Sequence, residues 1–240
     1  PGNLFAIILY GIVIALLVAQ PDFGQTILIT IAWGTLFFMA GMPWFWIILL
    51  GAMGVGMFVS AYFVFPHVAG RIDRFLTGEG DTHQVDTGRE AIIRGGWWGE
   101  GPGEGTVKRI LPDSHTDFIF SVAAEEFGIL FCLALVAIFA FIVLRGLSHA
   151  NREGDEFTRL AIAGLTLLIG LQSMIHIGVN LELLPAKGMT LPLISYGGSS
   201  MLAIATTAGF LLALTRRNPE KRATGRQKIY QDAAMPAERV

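Results

Sequence analysis

His115-Thr116-Asp117-Phe118-Ile119-Phe120, followed by Ala124-Glu125-Glu126, is the stretch from which the rest of this chain is read. Asp117 stands where a long polar segment ends and an apolar run over 118–144 begins. A carboxylate at that boundary can meet water and a polar substrate group while a membrane helix holds its backbone. Acids at a bilayer edge are functional candidates by default. An Asp titrates near 4 when unperturbed, and partial desolvation raises that value, which makes it a better general base. Helix capping is the plainer role. Asp113, Ser114 and Thr116 already offer caps for the next helix.

Working outward, 53% of the 240 residues are hydrophobic and 15% charged, with a mean hydropathy of +0.58. Soluble domains carry about 25% charged residues, so this is the composition of a membrane protein. Asp22 is the only Asp, Glu, Lys or Arg before Arg71. The net charge of -2 identifies no partner, and nothing points to nucleic acid. The single cysteine, Cys132, lies in an apolar run and excludes an intrachain disulfide.

A membrane helix needs roughly 20 mainly apolar residues. The pattern predicts an all-α, polytopic bundle of about six spans: 4–19, 23–40, 44–65, 118–144, 160–179 and 191–214. Breaks fall at Gly and Pro, as expected. Arg145, Arg152 and Arg159 flank one connection, and Arg216, Arg217, Lys221, Arg222, Arg226 and Lys228 follow the last span. Lys and Arg collect on the cytoplasmic side. Both ends of the chain are therefore expected in the cytoplasm, with a polar tail over 218–240 and the long loop 66–117 outside. The start at Pro1, without a basic leader, reads as a piece of something longer.

Within that loop, 85–94 is expected to form a short amphipathic helix in the membrane interface, anchored by Trp97 and Trp98. The glycines from Gly95 to Gly105 allow close approach to a ligand, or simply make a flexible turn. Glu125 and Glu126 fall inside a span and are expected to find structural partners. Gln172, His176 and Asn180 recur every four residues and form one polar stripe facing the bundle. No second His or Cys stands at ligand spacing to make His176 a metal ligand. Lys187, bracketed by Pro185 and Pro192, either neutralises a phosphate or snorkels to the interface.

The motif around Asp117, together with Leu191-Pro192-Leu193-Ile194-Ser195-Tyr196-Gly197-Gly198-Ser199-Ser200, resembles the signatures of the SEDS family (shape, elongation, division and sporulation). Gln20-Pro21-Asp22-Phe23-Gly24 is similar to an earlier motif of that family, and Arg71 and Arg74 to its basic loop entry. Pro185-Ala186-Lys187-Gly188 and the tail look more like its division branch than its elongation branch. The resemblance implies the last six of ten spans. It also implies a septal peptidoglycan glycosyltransferase of the cytoplasmic membrane that polymerises lipid II beside a class B penicillin-binding protein and other divisome membrane proteins. On that footing Asp117 is the general base. Lys187, Lys108, Arg71 and Arg74 would offset the diphosphate charge, and His115, Thr116, Tyr196 and Ser199 would line the groove. A divalent cation, Mg2+ or Mn2+, has a place at the leaving group. A lipid II flippase and a division scaffold are the competing expectations.

Overall fold

The computed structural model describes residues 2–20, 22–77, 83–185 and 188–216. Among them every regular element is helical. In chain order these are α1 (Gly2–Ala19), α2 (Phe23–Met39), α3 (Trp44–Val64), α4 (Pro66–Thr77), α5 (His83–Gly95), a 3-10 turn (Val107–Arg109), α6 (Ile119–Ala150), α7 (Glu156–Asn180) and α8 (Gly198–Thr215). The tail over 218–240 lies outside the described residues, as does Lys187.

Three helices, α6, α7 and α8, are long and apolar enough to cross a membrane, and α1 and α2 contain shorter apolar runs. Local chemistry sets several boundaries. Asp22 caps α2 by accepting from the Gln25 amide, and Asp155 caps α7 by accepting from the Thr158 amide. The helices interlock through small residues, as membrane helices do when the surrounding lipid is as apolar as they are. A methyl group on Gly146 would sit 2.4 Å from Thr166 Oγ1, and one on Gly170 would sit 2.7 Å from Val143. Those contacts seal α6 to α7. Gly164 of α7 packs against Leu36 of α2, and Ile204 of α8 joins Phe139, Ile169 and Leu191 in one cluster. Outward faces carry Leu144, Phe141, Leu202, Phe210 and Leu212 bare, as a lipid-facing surface would.

The expected span over 118–144 is not one rod. Gly128, at φ 79° and ψ 175°, breaks α6 into 119–127 and 129–150. The chain then folds back on itself. Cys132 Sγ lies 3.8 Å from the Phe120 carbonyl, whereas an unbroken helix would separate these turns by about 18 Å. Phe120, Ala124 and Cys132 close into a small core of their own. The crossing segment is 129–150, roughly 33 Å long at 1.5 Å per residue. Glu125 and Glu126 therefore belong to the folded-back arm and not to the span.

Two more boundaries differ from expectation. Residues 191–197 form turns, and the last span begins only at Gly198. Among the described residues the loop over 66–117 holds α4 and α5, and α5 runs alongside the folded-back arm. Gly88 of α5 meets Phe118 and Ser121, and Gly95 meets the Ala124 carbonyl. The glycine segment that follows seats on protein backbone. Glu100 N–H donates to the Glu125 carbonyl at 2.8 Å, Gly101 N–H to the Glu126 carbonyl at 3.0 Å, and Ile129 N–H to the Gly96 carbonyl at 2.9 Å. Gly95 and Gly99 permit a close approach of chain to chain, where a loose turn was one of the two expectations. Trp97 and Trp98 are left exposed beside this junction.

A side chain at residue 128 would meet both positive φ and the Trp97 carbonyl at 2.4 Å. Gly128→Ala should cost at least about 2 kcal/mol and lower the melting temperature measured in detergent. Gly154→Ala, with nothing within 4 Å, should stay within about 0.5 kcal/mol of the parent.

Candidate active site

The site begins with the polar stripe of α7. Gln172, His176 and Asn180 face one way, and each reaches backbone from another part of the chain. Gln172 Nε2 donates to the Thr190 carbonyl at 2.9 Å and lies 3.1 Å from Thr190 Oγ1. His176 Nδ1 is 2.6 Å from the Met189 carbonyl. Asn180 Nδ2 donates to the Asp117 carbonyl at 2.9 Å, while its Oδ1 accepts from Ser121 N–H at 3.1 Å and Ser121 Oγ at 2.9 Å. His176 and Asn180 are 1% and 3% exposed, so these bonds have almost no competition from water.

The second component is the turn over 113–118. Asp113 adopts φ 52°, and its carbonyl accepts from the amides of Thr116, Asp117 and Phe118 at 3.1, 2.9 and 3.3 Å. Phe118 occupies the N-cap of α6 without a side-chain cap, so the expected capping by Asp113, Ser114 or Thr116 does not occur. Thr116 Oγ1 instead donates to the Asp113 carbonyl. Asp117 ends up half-buried, directly before the helix.

The third is the turn over 188–197. Ser195 Oγ accepts from Leu191 N–H and donates to the Thr116 carbonyl, both at 2.7 Å. Tyr196 N–H donates to the His115 carbonyl at 2.9 Å. Three successive carbonyls, those of His115, Thr116 and Asp117, are thus each held by a distant segment. A methyl group on Gly188 would lie 2.9 Å from Asp117 Oδ2, so a larger residue there would make the carboxylate shift. Tyr196 is 77% exposed, and His115 and Ser199 also face outward around the same end of the bundle, where α7 stops and α8 starts. A shallow cleft between Gln172, Thr190, Ser195, Ser200 and Ile204 opens beside it.

Lys108 Nζ is paired with Glu126, and both side chains are largely buried, so its charge is compensated within the protein. Arg71 and Arg74 lie on α4, which packs on α3, and their side chains are outside the described residues. Glu125, 0% exposed, accepts from Val107 N–H at 2.7 Å and Lys108 N–H at 2.9 Å. Its carboxylate therefore ties the 3-10 turn to the folded-back arm. Ser121 and Ser195, missed in the sequence, hold the turn as firmly as the stripe does. Ser195 lies inside a quoted motif, while Ser121 carries no sequence signal. Among the described residues, no group of three or more His, Cys, Asp or Glu is placed to hold a metal ion.

With the geometry in view, the profile of the FtsW, RodA and SpoVE cell cycle proteins matches residues 2–220. The chain belongs to that family. It is 54% identical over 220 residues to a probable peptidoglycan glycosyltransferase FtsW from Caulobacter vibrioides, covering 91% of this chain and 56% of the relative. A protein of the same description from Francisella salina is 40% identical over 226 residues, covering 90% and 56%. A solved structure described as structural coordination of polymerization and crosslinking by a peptidoglycan synthase complex superposes with a TM-score of 0.67. It is 29% identical and covers 88% of this chain and 60% of that one. An aspartate-to-alanine mutant of the rod shape determining protein RodA from Thermus thermophilus gives 0.60 at 27% identity, covering 88% and 56%. The chain spans little more than half the length of these curated relatives. Membership of the FtsW, RodA and SpoVE family and the long apolar helices make it a multi-pass membrane protein.

Removing the Glu125 carboxylate leaves two amides without their acceptor, a loss of about 1–3 kcal/mol for each buried group. Glu125→Ala should speed hydrogen exchange at the Val107 and Lys108 amides while amides in 129–150 keep their protection.

Proposed function

We propose that this chain carries the catalytic aspartate of a peptidoglycan glycosyltransferase that extends glycan strands from lipid II. The observation that carries the proposal is the treatment of Asp117. Its N–H and carbonyl are both held, as is the Thr116 carbonyl before it, yet the residue is only half-buried, at the end of the bundle where a substrate headgroup can arrive. Such fixing of a reactive group lowers the cost of reaching the reacting geometry. The relatives described as probable peptidoglycan glycosyltransferases support the same reaction class.

In this mechanism Asp117 accepts the proton of the acceptor sugar's hydroxyl as that oxygen attacks the anomeric carbon of the donor. The bond from that carbon to the diphosphate oxygen breaks, and the lipid diphosphate leaves with the electron pair. Lys187, Arg71 and Arg74 are the cations assigned to the departing charge. His115, Thr116, Tyr196 and Ser199 line the approach. A divalent cation, Mg2+ or Mn2+, would offset charge on the leaving diphosphate.

The protein works in the cytoplasmic membrane at the division septum, with Asp117 on the outer side and both ends of this chain inside. A class B penicillin-binding protein crosslinks the product, and other divisome membrane proteins assemble around the pair. The description of the synthase complex, which couples polymerization to crosslinking, supports such a partner. A flippase is the weaker reading, because the stripe of α7 is occupied by backbone and does not line a path.

In a lipid II polymerisation assay with the penicillin-binding partner present, Asp117→Ala should reduce glycan formation at least about 100-fold. Membrane insertion and melting temperature should stay near the parent's. Glycan made at the parental rate would overturn the assignment.

A further inference from the structure

We infer that Asn180 is a positioning residue for the proposed base, setting where the Asp117 carboxylate points by holding the Asp117 carbonyl. The inference rests on the glycosyltransferase reading above and deepens it. One side-chain amide serves both sides of the α6 start. Its Oδ1 takes the N–H and hydroxyl of Ser121, inside the first turn, and its Nδ2 donates to the Asp117 carbonyl, just before that turn. Phe118, the N-cap between them, offers no side-chain cap. Asn180 therefore does from across the bundle what a local cap does elsewhere, satisfying an orphan amide at the helix start.

The consequence for Asp117 is specific. Its N–H is fixed on the Asp113 carbonyl at 2.9 Å and its carbonyl is fixed on Asn180 at 2.9 Å. Both peptide planes that flank its Cα are held, so φ and ψ cannot drift. With the backbone held, the side-chain torsions set where the carboxylate points, and the nearby Gly188 backbone narrows them. Asn180 is itself oriented by a second donation from Nδ2, to the His176 carbonyl at 2.9 Å. With four partners and 3% exposure, the amide has one way to sit. Neither carboxylate nor hydroxyl at residue 180 can reproduce that pattern. An ionised carboxylate has no proton for the Asp117 carbonyl and puts a like charge beside the base.

The test is steady-state polymerisation of lipid II by the full-length protein with its penicillin-binding partner, in lipid vesicles, over a range of pH. For Asn180→Asp, kcat should fall about 10- to 100-fold, the scale expected when a reacting group is misplaced by an ångström. KM should stay within about twofold, since ground-state binding is not removed. The acidic limb of the pH–rate profile should move to higher pH by about one unit. A neighbouring negative charge holds a proton on the base, and the base acts only when deprotonated. Asn180→Ser should show the same kcat loss with the acidic limb unmoved, and it serves if the Asp variant fails to fold. Parental kcat in either folded variant overturns the inference, as does a loss confined to KM. Asp117→Ala, run in parallel, separates the two levels. If it is inactive while the Asn180 variants are at full rate, only the positioning role fails. If Asp117→Ala polymerises normally, the base assignment fails and the inference with it.

Discussion

Three consecutive peptide carbonyls, those of His115, Thr116 and Asp117, are each held by a residue far away in sequence, and the candidate site depends on that constraint. Tyr196, Ser195 and Asn180 supply the donors. Interhelical hydrogen bonds in membrane proteins average about 0.6 kcal/mol, so their contribution to stability is small. Their geometric effect is large. They fix the backbone from which one half-buried carboxylate projects. The stripe of α7 serves the facing turn in the same way, with Gln172 and His176 holding the Thr190 and Met189 carbonyls.

Buried backbone polar groups must find new partners wherever a helix is interrupted. The break at Gly128 is such an interruption. The glycine segment satisfies it by exchanging backbone bonds with residues 125, 126 and 129, and a side chain at Gly95 or Gly99 would collide with the arm's backbone. Glu125 then fastens the 3-10 turn, and Lys108 fastens Glu126, so the arm that carries Asp117 is tied down along its length. The charged groups of this arm are spent on holding the fold.

Much of this was legible from residue order. Apolar runs separated by Gly and Pro mark α1, α2, α3 and α7 to within a few residues, because span length is set by bilayer thickness. The period-four recurrence of Gln172, His176 and Asn180 gives a polar face directly. Asp117 stands out because a carboxylate at the edge of an apolar run needs a reason. The fold-back does not stand out. Phe118 to Leu144 is equally apolar whether straight or doubled, and Gly128 resembles any glycine of a membrane helix until its φ is known. Once that reversal is missed, the pairing of Lys108 with Glu126, and of Glu125 with two amides 17 and 18 residues away, cannot be read either. Ser121 and Ser195 were hidden for a related reason: a lone serine gains its role from a partner brought up by tertiary structure.

The proposed role of Asp117 comes down to a distance that a bound substrate would reveal. A structure of the Asp117→Asn protein with lipid II in place measures it, since that substitution keeps the shape and halts the reaction. The attacking hydroxyl of the acceptor sugar should lie about 2.6–3.2 Å from the side-chain oxygen of residue 117, with the donor's anomeric carbon in line beyond it. A substrate headgroup bound at the opposite end of α7, or a hydroxyl with no path to residue 117 even through one water, would contradict it.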